Sequence, residues 1–63
     1  MEALKQLRKS NKISQEEMAR TLNISLRAYQ LKEKGNNEFL LSELITMSDK
    51  FNMRFLEFID RRV

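Results

Sequence analysis

The chain has no cysteine, no histidine, no proline and no tryptophan, and a single glycine, among its 63 residues. Without thiols, neither a disulfide nor a thiolate metal site can staple the fold, and no redox compartment can be read from it. Without imidazole, the commonest acid–base side chain is missing, and so short a chain leaves little room for a pocket with paired catalytic groups. No catalytic residue, no metal ligand and no cofactor is therefore expected. The scarcity of glycine and proline leaves no flexible linker or low-complexity tract, and no internal repeat is visible. No apolar run approaches the roughly 20 residues that cross a bilayer, and no signal-peptide pattern opens the chain. The expectation is a cytoplasmic protein with no membrane partner. A chain of this length hides only about 60% of the surface it would expose unfolded, so one domain over residues 1–63 is expected. With 41% hydrophobic residues, its core has to come from efficient helix packing.

What is present concentrates between Ser14 and Gly35. Ser14 followed by Glu17 has the spacing of a capping box, in which hydroxyl and carboxylate each satisfy an orphaned backbone N–H. A helix is predicted from Gln15. Met18, Ala19 and Leu22 form its apolar stripe, while Glu16, Glu17, Arg20 and Thr21 lie off it. Asn23 stands where the chain must turn, and asparagine tolerates the left-handed conformation better than other non-glycine residues. Ile24 is a single apolar residue in the turn. Ser25 can cap a second helix by accepting from the N–H of Arg27 or Ala28, and Gly35 closes it. Two short helices with a tight turn form a helix-turn-helix of the kind that reads DNA.

The flanking segments read as scaffold. A first helix over Glu2 to Ser10 turns Leu4 and Leu7 inward, and Asn11-Lys12 ends it before Ile13 re-enters the core. Asn36-Asn37-Glu38 is a polar loop. Leu41, Leu44, Ile45, Met47, Ser48 and Phe51 recur at helical spacing and predict a fourth helix from about Leu41 or Ser42 to Phe51. Asn52-Met53 turns the chain into a short fifth helix bearing Phe55, Leu56, Phe58 and Ile59, before an Arg61-Arg62 tail. Phe51, Phe55 and Phe58 are expected in the core, with a dimer contact for any that spills outside. The fold class is all-α, a bundle of five short helices.

Charge is more informative by position than in total. The net charge is +3, but residues 1–35 carry +4, from eight Lys and Arg against four Glu, and residues 36–63 carry −1. The positive excess lies on the half that holds the motif, as a phosphate-facing surface requires.

The order Ser14-Gln15-Glu16-Glu17-Met18-Ala19, Leu22, Asn23-Ile24-Ser25 and then Glu33-Lys34-Gly35 resembles the helix-turn-helix domain of lambdoid phage repressors and Cro-type proteins. It is similar also to their bacterial relatives, the xenobiotic-response-element type regulators. The likeness runs from about Leu4 to Ile59. It implies a lambda-repressor-like DNA-binding domain whose second motif helix lies in the major groove, which at about 12 Å admits one α-helix. The implied partner is double-stranded DNA, bound by a homodimer on a palindromic operator in a repressor-type regulator. Pairing is expected near Phe55, Phe58 and the loop from Asn37 to Leu40. An antitoxin-like or protein-interaction module is the alternative within the same fold.

Matched to the family's positions, base contacts fall on Leu26, Arg27 and Leu31, with Gln30 added if it faces the groove. Ala28 and Tyr29 face the scaffold. Phosphate contacts are expected from Arg8, Ser14, Gln15, Ser25, Lys34, Asn36 and Asn37, with Gln15 also bracing the recognition helix. Arg8 and Glu33 match the family's interhelical ion pair, expected at the surface and contributing about 0–1 kcal/mol there. Three features depart from the pattern. Lys32 replaces a large apolar residue, so either its stem packs while the ammonium snorkels out or the end of the helix is displaced. Leu26 and Leu31 are unusually apolar for base readers, and the proline-serine that commonly opens the fourth helix is replaced by Phe39-Leu40.

Overall fold

A computed structural model of the chain describes the backbone of residues 2–62 and the side chains of residues 2–60. Within it, helices α1 (Glu2–Ser10), α2 (Gln15–Leu22), α3 (Leu26–Lys34), α4 (Leu41–Lys50) and α5 (Phe55–Arg62) follow one another. The all-helical class holds throughout the described residues.

The first four helices stop in the same way. A residue in the left-handed region follows each of them: Lys12 (φ 58°), Asn23 (φ 59°), Gly35 (φ 93°) and Asn52 (φ 58°). The amide one residue further on then reaches back to a carbonyl in the last turn. Ile13 donates to Arg8, Ile24 to Ala19, Asn36 to Leu31 and Met53 to Ser48, all at 2.9–3.0 Å. Carbonyls that a helix end leaves orphaned are thereby satisfied, and the chain is redirected sharply. This repeated stop lets five helices fit in 26 × 22 × 20 Å.

The N-terminal caps are divided differently from expectation. The hydroxyl of Ser14 accepts from the Glu17 amide at 3.0 Å, but the Glu17 carboxylate does not return to Ser14. It pairs instead with Lys50 on α4 at 2.8 Å, so half of the expected capping box is exchanged for a tie between helices. At α4 the converse holds. Leu40 has no side-chain acceptor, and the carboxylate of Glu43 accepts from its amide at 2.8 Å. Each of these two helix starts has one half of a box.

Leu4, Leu7, Ile13, Met18, Ala19, Tyr29, Met47, Phe51 and Phe58 form the core. Ala19, 3% exposed, has no side chain beyond Cβ and so lets α2 and α3 approach closely. The rings of Phe51 and Phe58 stack at 5.7 Å and join α4 to α5. Phe58 is wholly buried, so it is used up inside the chain's own core, while Phe55 is half-buried. The fourth helix is narrower in its apolar stripe than its sequence suggests. Leu41 and Ile45 are 64% and 45% exposed, because α4 packs its backbone against α2 and α5 and turns Glu43, Met47 and Ser48 inward. The expected Arg61-Arg62 tail is a continuation of α5; those side chains lie outside the described residues.

Candidate nucleic-acid interface

α3 is held by polar groups on its inner side. On an ideal helix of 3.6 residues per turn, positions 26, 27, 30, 31 and 34 fall within about 140° of one another, and 28, 29, 32 and 33 fall on the other side. The inner group carries Tyr29 and Glu33, both buried. Glu33 is the hub. Arg8 of α1 grips its carboxylate through Nε at 2.9 Å and Nη2 at 3.2 Å, the Tyr29 hydroxyl donates at 2.5 Å, and Gln15 Nε2 of α2 donates at 3.0 Å. The remaining arm of Arg8, Nη1, donates to the Ile13 carbonyl at 2.7 Å. One carboxylate thus fixes α3 to both α1 and α2.

Burial by itself raises the Glu33 pKa, but the bonds from Arg8, Tyr29 and Gln15 outweigh it and hold the carboxyl below its usual range. Burial, and then the bond to Glu33, pushes the Tyr29 phenol above its ordinary value. The bond to Glu33 likewise holds Arg8 above the ordinary arginine value. The pair expected at the surface is therefore internal, with side-chain exposures of 8% and 5%. Such a pair fixes geometry, because breaking either partner leaves a buried charge uncompensated. The same burial bears on the expectation of Arg8 at a phosphate. Arg8 is 6% exposed and committed to Glu33 and Ile13, so its part is inside the scaffold.

Lys32 realises neither alternative for its position in full. Its side chain is 14% exposed, and its ammonium pairs with Glu43 of α4 at 2.6 Å, 5.9 Å from the centre of the Phe39 ring. The Glu43 carboxylate that caps α4 therefore also anchors the C-terminal end of α3. This tie spans the loop from Gly35 to Leu40 and has no helical periodicity to announce it. A glutamate three residues after the Leu40 cap position is its one legible trace.

The outer side of α3 presents Leu26, 38% exposed, exposed Arg27, and half-buried Gln30 and Leu31. Among the described residues the Arg27 side chain has no hydrogen-bond or ion-pair partner within the chain. Gln30 Nε2 donates to Gln15 Oε1 at 3.2 Å, which extends the Glu33 network onto the outer face. Ser14 and Ser25 are exposed caps whose oxygens accept from Glu17 and Ala28 at 3.0 Å, which leaves each O–H free to donate. Lys34, Asn36 and Asn37 are exposed beyond the helix end. The amides of Asn36 and Asn37 are both directed to the Leu31 carbonyl, at 2.9 and 3.3 Å. Those two backbone N–H groups are therefore occupied, and a phosphate contact from Asn36 or Asn37 falls to the side-chain amides. Among the described residues no acidic or sulfur and nitrogen cluster could hold a metal ion, and no helix is long and apolar enough to cross a membrane.

A capped two-helix unit with one helix clamped on its inner side and open on its outer side defines a helix-turn-helix domain. A family model described as helix-turn-helix matches residues 4–58, and the chain belongs to that family, the Cro/C1-type helix-turn-helix of lambdoid repressors and their relatives. It is a family of DNA-binding regulatory domains rather than of enzymes. Searches of curated proteins and of solved structures found no match.

Proposed function

We propose that the chain is a sequence-specific transcriptional regulator of the repressor/Cro type, a single domain that binds a palindromic operator as a homodimer in the cytoplasm. The carrying observation is the division of α3 into a side clamped by Glu33 and a side whose Arg27 has no partner among the described residues. An arginine can bond O6 and N7 of guanine in a bidentate fork, worth about 1–3 kcal/mol of discrimination. Gln30 has one amide hydrogen and its oxygen left after bonding Gln15. Those are the donor and acceptor that adenine N7 and N6 require. Leu26 and Leu31 complete the base-reading set.

The phosphate set is Ser14, Gln15, Ser25, Lys34, Asn36 and Asn37. Gln15 donates one amide hydrogen to Glu33 and keeps the second for a phosphate, while the serine hydroxyls sit at helix N-termini, where the backbone dipole favours an anion. Arg8 is left out of this set. A single recognition helix reads only a few base pairs, so two copies on half-sites about one helical turn apart supply the specificity. Leu40 and Leu41, with Ile45 one turn on, offer exposed apolar surface beside the loop expected at the pairing contact.

Selection of duplexes from a random pool, followed by titration at several salt concentrations, tests the proposal. A palindromic preference is expected, with log affinity falling linearly in log salt at about −0.9 per phosphate neutralised. A salt-insensitive response, or equal affinity for every duplex, refutes it. Sedimentation that shows one protomer on the selected site refutes the dimer.

A further inference from the structure

We propose that Leu26 and Leu31 make α3 a reader of the C5 methyl group of pyrimidines, so that 5-methylcytosine serves wherever thymine does. The proposal rests on α3 being the groove helix. Leu26 and Leu31 bound the outer face at its two edges, about 140° apart on an ideal helix, with Arg27 and Gln30 between them. Neither leucine can donate or accept a hydrogen bond, so a polar base edge placed against it loses water and gains nothing. The major groove presents one apolar group, the C5 methyl of thymine. A leucine on this face therefore has one base-specific partner.

That partner is defined by the methyl and not by the base that carries it. Thymine and 5-methylcytosine place the same methyl at C5 and differ at C4, where one has a carbonyl and the other an amino group. A side chain without hydrogen-bonding atoms does not distinguish the two. Polar readers confined to the middle of the face leave this apolar contact uncorrected at the edges. No acidic residue occupies the first turn of α3, so no carboxylate there would favour the cytosine amino group over the thymine carbonyl. The domain is thereby sensitive to the methylation of a cytosine that stands at either of these positions.

The test uses the full chain and a duplex selected from a random pool. At each position thymine is replaced by uracil, which removes the methyl and leaves every hydrogen-bonding group in place. At sensitive positions a C·G pair is then compared with a 5-methylcytosine·G pair, which differ only in the methyl. Burial of one methyl-sized group against aliphatic carbon contributes about fourfold in affinity, or about fifteenfold for two symmetric half-sites. Uracil is expected to weaken binding by that factor at one or two positions per half-site, and 5-methylcytosine to restore it over cytosine. Leu31→Ala should abolish both effects at one position and Leu26→Ala at another. Leu26 is exposed enough for its variant to fold, and circular dichroism confirms each variant before titration. Uracil duplexes that bind as tightly as the parent overturn the proposal, as does a methyl effect that survives both leucine variants. A parent chain with no sequence preference overturns the DNA-reading function itself, a distinguishable result.

Discussion

Glu33→Gln is the most informative single change, because glutamine keeps the shape of the side chain and removes only its charge. Arg8 would then remain 6% exposed with no counter-charge, and the bonds from its Nε and Nη2, at 2.9 and 3.2 Å, would meet an amide in place of a carboxylate. The amide nitrogen of the introduced glutamine would also face donors from Arg8, Tyr29 or Gln15, since all of these donate to the native carboxylate. Removal of one partner of a buried pair costs about 3–5 kcal/mol. A folded chain of 63 residues has roughly 3–9 kcal/mol in all. The variant is expected to lose most of its stability, with a urea midpoint that falls at an unchanged slope.

The same carboxylate sets the acid limb of the stability curve. The folded-state pKa of Glu33 lies below its ordinary value of 4.5, so the unfolded chain binds this proton at a higher pH than the folded one. Its stabilisation is complete above about pH 4.5 and is lost as pH falls through the folded value. The parent should weaken steeply below that pH and Glu33→Gln less steeply, in urea melts at about pH 3.5, 4.5 and 7. A Glu33→Gln protein within about 1 kcal/mol of the parent at pH 7, or with the same acid limb, refutes the assignment of Glu33 as the hub.

Lys32→Met leaves the Glu43 carboxylate, at 8% exposure, without its cation, and should cost about 1–3 kcal/mol. Lys32→Met with Glu43→Gln removes both charges and keeps an acceptor for the Leu40 amide, so the double variant should melt within about 1 kcal/mol of the parent. Gly35→Ala places a Cβ in open space but in a backbone at φ 93°; about 1–2 kcal/mol of strain should appear in thermal melts, and less for Gly35→Asn. Ser25→Ala removes the acceptor for the Ala28 amide and should cost about 1 kcal/mol, with weaker binding to every duplex sequence alike. Arg27→Ala, on an exposed site, should leave stability unchanged and relax preference at one position of each half-site, read by competition with single-base variants.

Local chemistry was legible in the sequence wherever it was confined to one turn. Ser14, Asn23, Ser25 and Gly35 each act on backbone groups three to five residues away, so their spacing alone predicts the boundaries of α2 and α3. The Arg8–Glu33 pair was legible through the family likeness, but its burial was not, since depth depends on how α1 and α3 pack. Glu17 shows the limit from the other side. Its position predicts a return to Ser14, yet Lys50, distant in sequence, offers a full positive charge against a single amide. The exposure of Leu41 and Ile45 was hidden for a related reason. Periodicity reports which residues share a face and is silent on how many neighbours the helix will find.

The arrangement of α3 follows from the difference between apolar and polar contacts. Hydrophobic burial is non-directional, so a helix held only by Tyr29 and Ala28 against the core could rotate or slide by a fraction of a turn at little cost. A carboxylate that accepts from Arg8, Tyr29 and Gln15 at once admits one rotation, because each bond weakens steeply away from its line. Lys32 and Glu43 fix the far end in the same way, across the loop to α4. Under the proposed function, the rotation of α3 about its axis decides whether Leu26, Arg27, Gln30 or Leu31 meets a given base. Buried polar groups that a domain of 63 residues could replace by more stable apolar ones thus stand where rotational register is the quantity that base reading needs.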